Sequence, residues 1–199
     1  MRFIPLLLIA LRALMAPLIV ALAFSGLPWT PEAIVAAMTI GLVSDIFDGI
    51  IARRLGVATP FLRRLDSQTD AAFWIAVLAS AWILHPKALI AAAPWIALIV
   101  VLELLCYALS FARFGREIST HALLSKLWGL FLFAGFVSLI LSGAAGPLFY
   151  AMIVVGVLSQ LDVIAIVLLL PRWTNDVPSA WHAWQLRRGR PIRRHSLFN

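Results

Sequence analysis

The chain has 199 residues, of which 63% are hydrophobic and only 13% charged, and it carries a formal net charge of +7. So few polar groups cannot wet the surface of a soluble domain, so a water-soluble protein is excluded and an integral membrane protein is expected. Its positive charge then points to anionic lipid as a partner, not to nucleic acid. The single cysteine, Cys106, rules out an intrachain disulfide and a thiolate zinc cluster, which leaves chemistry to oxygen and nitrogen ligands.

A membrane span needs about 20 mostly apolar residues. The first such stretch, residues 3–24, has Arg12 in its middle and no clean small-residue cleavage region after it, so it reads as a permanent span and not a signal peptide. A turn at Ser25-Gly26-Leu27-Pro28 leads to the second stretch, residues 31–55. Arg53, Arg54, Arg63 and Arg64 flank the connection to the third, residues 66–84. His85-Pro86-Lys87 leads to the fourth, residues 88–112, and Arg113 and Arg116 precede the fifth, residues 121–141. Ser142-Gly143-Ala144-Ala145-Gly146-Pro147 opens the sixth, residues 147–170.

The expected fold is therefore an all-α integral membrane protein, with about six transmembrane helices in one domain over residues 1–171. A basic tail follows over residues 172–199. There Trp181 and Trp184, beside Arg187, Arg188, Arg190, Arg193 and Arg194, read as an interfacial helix resting on anionic headgroups. Basic residues cluster on one side of the spans, while the opposite connections offer only Lys87, so both termini are expected in the cytoplasm.

Several ionisable residues fall inside the apolar stretches: Arg12, Asp45, Asp48, Asp66, Asp70, Glu103, Lys126 and Asp162. Each costs about 2.5–3.5 kcal/mol at mid-membrane on insertion scales, so each must face a partner, water or a ligand. Counted at about 1.5 Å per residue from the cytoplasmic helix ends, nearly all fall in the cytoplasmic half, which predicts a polar cavity facing the cytoplasm. Asp45 and Asp48 stand three apart, Asp66 and Asp70 four apart, so each pair lies on one helix face, and Gly49 and Ala52 continue the first face. Four converging carboxylates repel unless cations neutralise them, and hard divalent ions such as Mg²⁺ or Mn²⁺ suit an all-oxygen site. Glu103 and Asp162 are expected to pair with Arg12 or Lys126, with a place in the polar cavity as the alternative.

The stretch from Ser44 to Arg53, followed by Asp66-Ser67-Gln68-Thr69-Asp70, resembles the D-x2-D-G-x2-A-R-x8-G-x3-D-x3-D signature of the CDP-alcohol phosphatidyltransferase family. All four aspartates, Gly49, Ala52 and Arg53 match in identity and spacing. Ile4-Pro5-Leu6 and the segment from Arg12 to Pro17 also resemble the family's first helix. The likeness is good over about the first 85 residues and rests on topology beyond them. One position departs: Leu62 stands where the pattern has its second glycine, a residue that would permit an unusual backbone angle or the close approach of a nucleotide.

The resemblance implies transfer of a phosphatidyl group from a CDP-activated lipid such as CDP-diacylglycerol to an alcohol, with release of CMP. It implies two divalent cations held by Asp45, Asp48, Asp66 and Asp70, with Asp70 also the base that takes the acceptor's proton. Asp45, Gly49, Ala52 and Arg53 are implied to meet the nucleotide, although small residues such as Gly49 and Ala52 also serve plain helix packing. Gly115-Arg116-Glu117-Ile118 and Lys126 faintly resemble the phosphate-binding region of phosphatidylglycerophosphate synthases, which makes glycerol 3-phosphate the expected acceptor and Arg113, Arg116 and Lys126 its ligands. Serine, inositol or another alcohol is the alternative acceptor, and a solvated charge the plain alternative for Arg116. A homodimer is implied by resemblance alone. Two other readings stand beside this one: a cation transporter, which requires polar residues through the full membrane depth, and a pseudoenzyme that has lost turnover through Leu62.

Overall fold

The computed structural model describes residues 3–57, 59–117 and 122–190, without the side chains of Arg53, Pro60 and Arg63. These residues form seven helices: α1 (Ile4–Ser25), α2 (Thr30–Arg54), α3 (Pro60–Leu84), α4 (Pro86–Phe114), α5 (Leu123–Ser142), α6 (Pro147–Leu169) and α7 (Ala180–Arg187). Each of the six expected stretches has become one helix. Five of them, all but α3, are long and apolar enough to cross a membrane. α3 is held below that level by Arg64, Asp66 and Asp70 in its first turns, although from Ala71 onward it is as apolar as the others.

Prolines and glycines set the helix ends. Pro5, Pro60, Pro86 and Pro147 occupy first-turn positions, where the missing N–H costs nothing and the fixed φ favours the helix. α1 stops at Gly26, whose φ of 63° lies in the left-handed region. α3 starts six residues before the predicted Asp66, because Thr59 caps it: its Oγ1 accepts the Leu62 backbone N–H at 3.2 Å.

The chain divides into two compact units, the first built by residues 3–90 with Phe136–Ala144, the second by the described residues of 91–135 with 145–190. In the first, α1 packs against both α2 and α3. The buried stripe of α1 is Pro5, Ile9, Arg12, Ile19 and Ala23, steps of three, four and seven that make one helical face. α2 and α3 meet closely at Gly41, where a Cβ would lie 2.5 Å from the Phe73 ring. Only glycine leaves room for that ring against the α2 backbone. His85, at the end of α3, meets the Ile140 carbonyl at 3.0 Å and joins the α3–α4 corner to the last turns of α5.

In the second unit Gly156 plays the corresponding part, since a Cβ there would meet the Trp128 indole at 2.6 Å and Ile99 at 2.8 Å. Polar pairs join its helices: Ser125 and Ser159 hydroxyls at 3.1 Å between α5 and α6, and the Cys106 thiol donating to Gln160 Oε1 at 3.3 Å between α4 and α6. α7 folds back on α6, burying Ala183 and Val177 with Val163, Ile166 and Leu170. Its first N–H, that of Ala180, donates to Asp162 Oδ1 on α6 at 2.9 Å.

Candidate functional site: a carboxylate cluster around Arg12

Helical spacing places Gly41, Asp45, Asp48 and Ala52 on one face of α2, and Asp66, Asp70, Phe73 and Val77 on one face of α3. The Gly41–Phe73 contact fixes these faces against each other one turn from Asp45 and one turn from Asp70. The four aspartates are thereby gathered as expected. One carboxylate oxygen from each of Asp45, Asp48 and Asp66 lies within 4.8 Å of the others.

What the sequence reading missed is the residue at their centre. Arg12, fully buried on α1, is ion-paired with all four. Its Nη1 donates to Asp45 Oδ1 and, at 3.5 Å, to Asp70 Oδ1. Its Nη2 donates to Asp48 Oδ2 and, at 2.7 Å, to Asp66 Oδ1. Each terminal nitrogen thus joins one aspartate of α2 to one of α3, while Nε is buried without a partner. The Asp48 side chain is only 4% exposed, but those of Asp45, Asp66 and Asp70 are 40%, 34% and 45% exposed, so the cluster is closed on the Arg12 side and open on the other.

The expected pairing of Arg12 with Glu103 or Asp162 is therefore corrected. Glu103 accepts from the Gln160 amide at 3.1 Å, and Asp162 accepts the Ala180 N–H. A signal was present in the sequence: Arg12 falls in register with Pro5, Ile9 and Ile19 on the face that α1 must bury. Charge balance alone called for a cation opposite the four carboxylates.

Gly49 is half-buried and Ala52 buried on α2 beside the aspartates; Arg53 lies in the same helix, its side chain outside the described residues. Leu62 sits in the first turn of α3 with its N–H capped by Thr59. Among the described residues only Asp176 combines a side chain with a positive φ, so the backbone at position 62 is ordinary helix and needs no glycine for its angle.

The expected acceptor residues all belong to the second unit. Arg113 donates from Nη2 to the carbonyl of Leu170, the C-cap of α6, at 3.1 Å, where a cation also favours the helix dipole. Arg116 is exposed, its guanidinium 5.0 Å from the Trp173 ring centroid, and its carbonyl accepts from the Ser110 hydroxyl. Trp173 also donates to the Glu117 carbonyl, so the segment after α6 organises this arginine region. Lys126 is exposed on the first turn of α5. His121 and Ile118 lie outside the described residues.

Helices long and apolar enough to cross a membrane thus bring together carboxylates, open on one side, that could hold a hard cation. A family model described as CDP-alcohol phosphatidyltransferase matches residues 2–169, and the chain belongs to that family. It is accordingly a phosphotransferase of phospholipid biosynthesis that moves a phosphatidyl group from a CDP-alcohol to an acceptor alcohol, in a family that generally depends on divalent cations. Comparison with curated proteins and with solved structures gives no match.

Proposed function

We propose that the enzyme transfers the phosphatidyl group of CDP-diacylglycerol to glycerol 3-phosphate, releasing CMP, with Asp45, Asp48, Asp66 and Asp70 holding two divalent cations, Mg²⁺ or Mn²⁺. The observation that carries the reading is the convergence of the four motif aspartates, three with oxygens within 4.8 Å of one another. An all-carboxylate donor set in which Arg12 takes only one oxygen of each aspartate fits a hard divalent ion. When bound, such ions neutralise charge on the pyrophosphate oxygens.

The chain's own residues do the rest. Gly49 and Ala52 keep the α2 face low so that cytidine and ribose approach the backbone, with Asp45 and Arg53 completing the nucleotide contacts. Asp70, the most exposed of the four, takes the acceptor hydroxyl proton as that oxygen attacks the β-phosphorus, and the bond from that phosphorus to the CMP oxygen breaks. Arg116 and Lys126, with the N–H groups of Arg113 not used on Leu170, meet the acceptor phosphate, a group that Arg's planar fork suits. α3 serves as the sixth span. The basic connections put the site and both termini at the cytoplasmic face. Trp181 and Trp184, stacked at 4.8 Å, and Arg188 over Trp184 at 3.9 Å support a tail, residues 172–199 after the transferase domain of residues 1–171, that rests on anionic headgroups. A homodimer completes the reading by family likeness.

One observation favours a second acceptor class. Arg113 and Arg116 each already have a structural partner, in Leu170 and Trp173, as they would if the acceptor were neutral, such as serine or inositol. Incubating the purified protein with CDP-diacylglycerol, Mg²⁺ or Mn²⁺, and each alcohol in turn separates the two readings. CMP release with glycerol 3-phosphate alone is the expected result; release with a neutral alcohol alone assigns the second class, and no release with any alcohol defeats both.

A further inference from the structure

We propose that Arg12 is the positioning residue of the aspartate site: its guanidinium ties the α2 aspartates to the α3 aspartates and competes electrostatically with the divalent cation that they bind. The competing half rests on the reading of these aspartates as cation ligands; the tie does not.

The geometry is that of a cross-brace. Nη1 bridges Asp45 and Asp70, and Nη2 bridges Asp48 and Asp66, so every contact pair spans α2 and α3. Direct packing between those two helices is slight compared with the packing of each on α1. Beyond the Gly41–Phe73 contact, the relative placement of the carboxylates therefore depends on α1, and within α1 on the one side chain that reaches all four. Only a planar fork with two terminal nitrogens does this; a lysine is a single point charge and reaches fewer partners at once. Arg12 also uses only one oxygen of each carboxylate, so the brace orients the cluster without closing it.

Competition follows from charge. Four carboxylates and one guanidinium leave a formal charge of three minus. A dication that enters on the open side meets the attraction of the carboxylates and the repulsion of a fixed positive charge a few ångströms away, in surroundings that screen poorly. Removing Arg12 thus strengthens cation binding, while in chelator it leaves buried Asp48 facing three like charges with no counterion.

The test uses the full chain in nanodiscs, with Mn²⁺ binding followed by electron paramagnetic resonance and thermal unfolding measured in EDTA and in Mn²⁺. Arg12→Met should bind Mn²⁺ at least tenfold more tightly than the wild type, melt well below it in EDTA, and show a wider gap between the two melting temperatures. Adding Asp48→Asn to Arg12→Met should restore part of the melting temperature in EDTA, which loss of ordinary packing would not allow. Should Arg12→Met fail to fold, Arg12→Lys takes its place, with an EDTA melt below the wild type and a gap again wider than the wild type's. Unchanged or weaker Mn²⁺ affinity in a folded variant overturns the competition, and an EDTA melt equal to the wild type's overturns the tie. A wild type that binds no Mn²⁺ overturns the ligand reading and the competition together, while the EDTA melts still decide the tie.

Discussion

The two units handle buried polarity in opposite ways. In the second, several groups meet one partner each on a neighbouring helix, Ser125 with Ser159, Cys106 with Gln160 and the Gln160 amide with Glu103, while Asp162 Oδ2 and Asn175 Oδ1 stay buried without one. Such contacts join helices in surroundings without water and leave little over. In the first, four carboxylates share one guanidinium, and the excess negative charge is far beyond what packing requires. A membrane protein keeps a surplus of charge at such cost where the charge acts on something else. Polarity that balances locally marks architecture; polarity left unbalanced marks chemistry.

That contrast is broken most directly at its charged end. Asp70→Asn should lower CMP release by about 10²–10⁴-fold, the usual range for a lost general base, and Asp48→Asn, which removes a cation ligand, should lower it as well. Asp70→Asn should keep CDP-lipid binding measurable by calorimetry, because three carboxylates remain; near-normal turnover in that variant would remove Asp70 from the reaction. Next in size is Gly41→Ala, whose Cβ cannot coexist with the Phe73 ring as placed. A cost of about 1–3 kcal/mol is expected from such overpacking, with activity falling alongside the melting temperature, and Phe73→Leu in the same chain should recover much of both. Arg116→Ala should raise the Michaelis constant for glycerol 3-phosphate about tenfold and leave that for the CDP-lipid unchanged, an outcome that an arginine merely resting on Trp173 would not produce. At the neutral end, Gln160→Met should cost about 0.6–1.7 kcal/mol by denaturant unfolding and leave turnover near the wild-type value. Leu62→Gly should do least: up to about 1 kcal/mol of helix stability, with activity retained.

The same contrast explains what could be read from the chain. Six helices were legible because apolar length is a one-dimensional property, and the aspartates were legible because each pair lies within one helix turn. The start of α3 was placed at Asp66 and not Pro60 because Arg63 and Arg64 interrupt the apolar run, although Thr59-Pro60 is a helix-start signal in its own right. The partners of Arg12 lie 33 to 58 residues away along the chain, and no periodicity specifies which of several buried acids a lone arginine meets. The engagement of Arg113 with Leu170 and of Arg116 with Trp173 depends on the course of the irregular segment after α6, which has no repeating pattern to read.

The bond from the Ala180 N–H to Asp162 bears on where this chain tolerates being shortened. Asp162 lies seven residues before the last residue of α6, about 10 Å back along its axis at 1.5 Å per residue. α7 therefore starts beside the body of α6, not beyond its end, and supplies part of that helix's side wall. A protein cut after Pro171 would lose Val177 and Ala183, lay open the flank of Val163 and Ile166, and leave a carboxylate on a membrane helix without its donor. The stretch that looks most like a dispensable appendage is, for α6, a missing neighbour whose removal should surface first as aggregation in detergent.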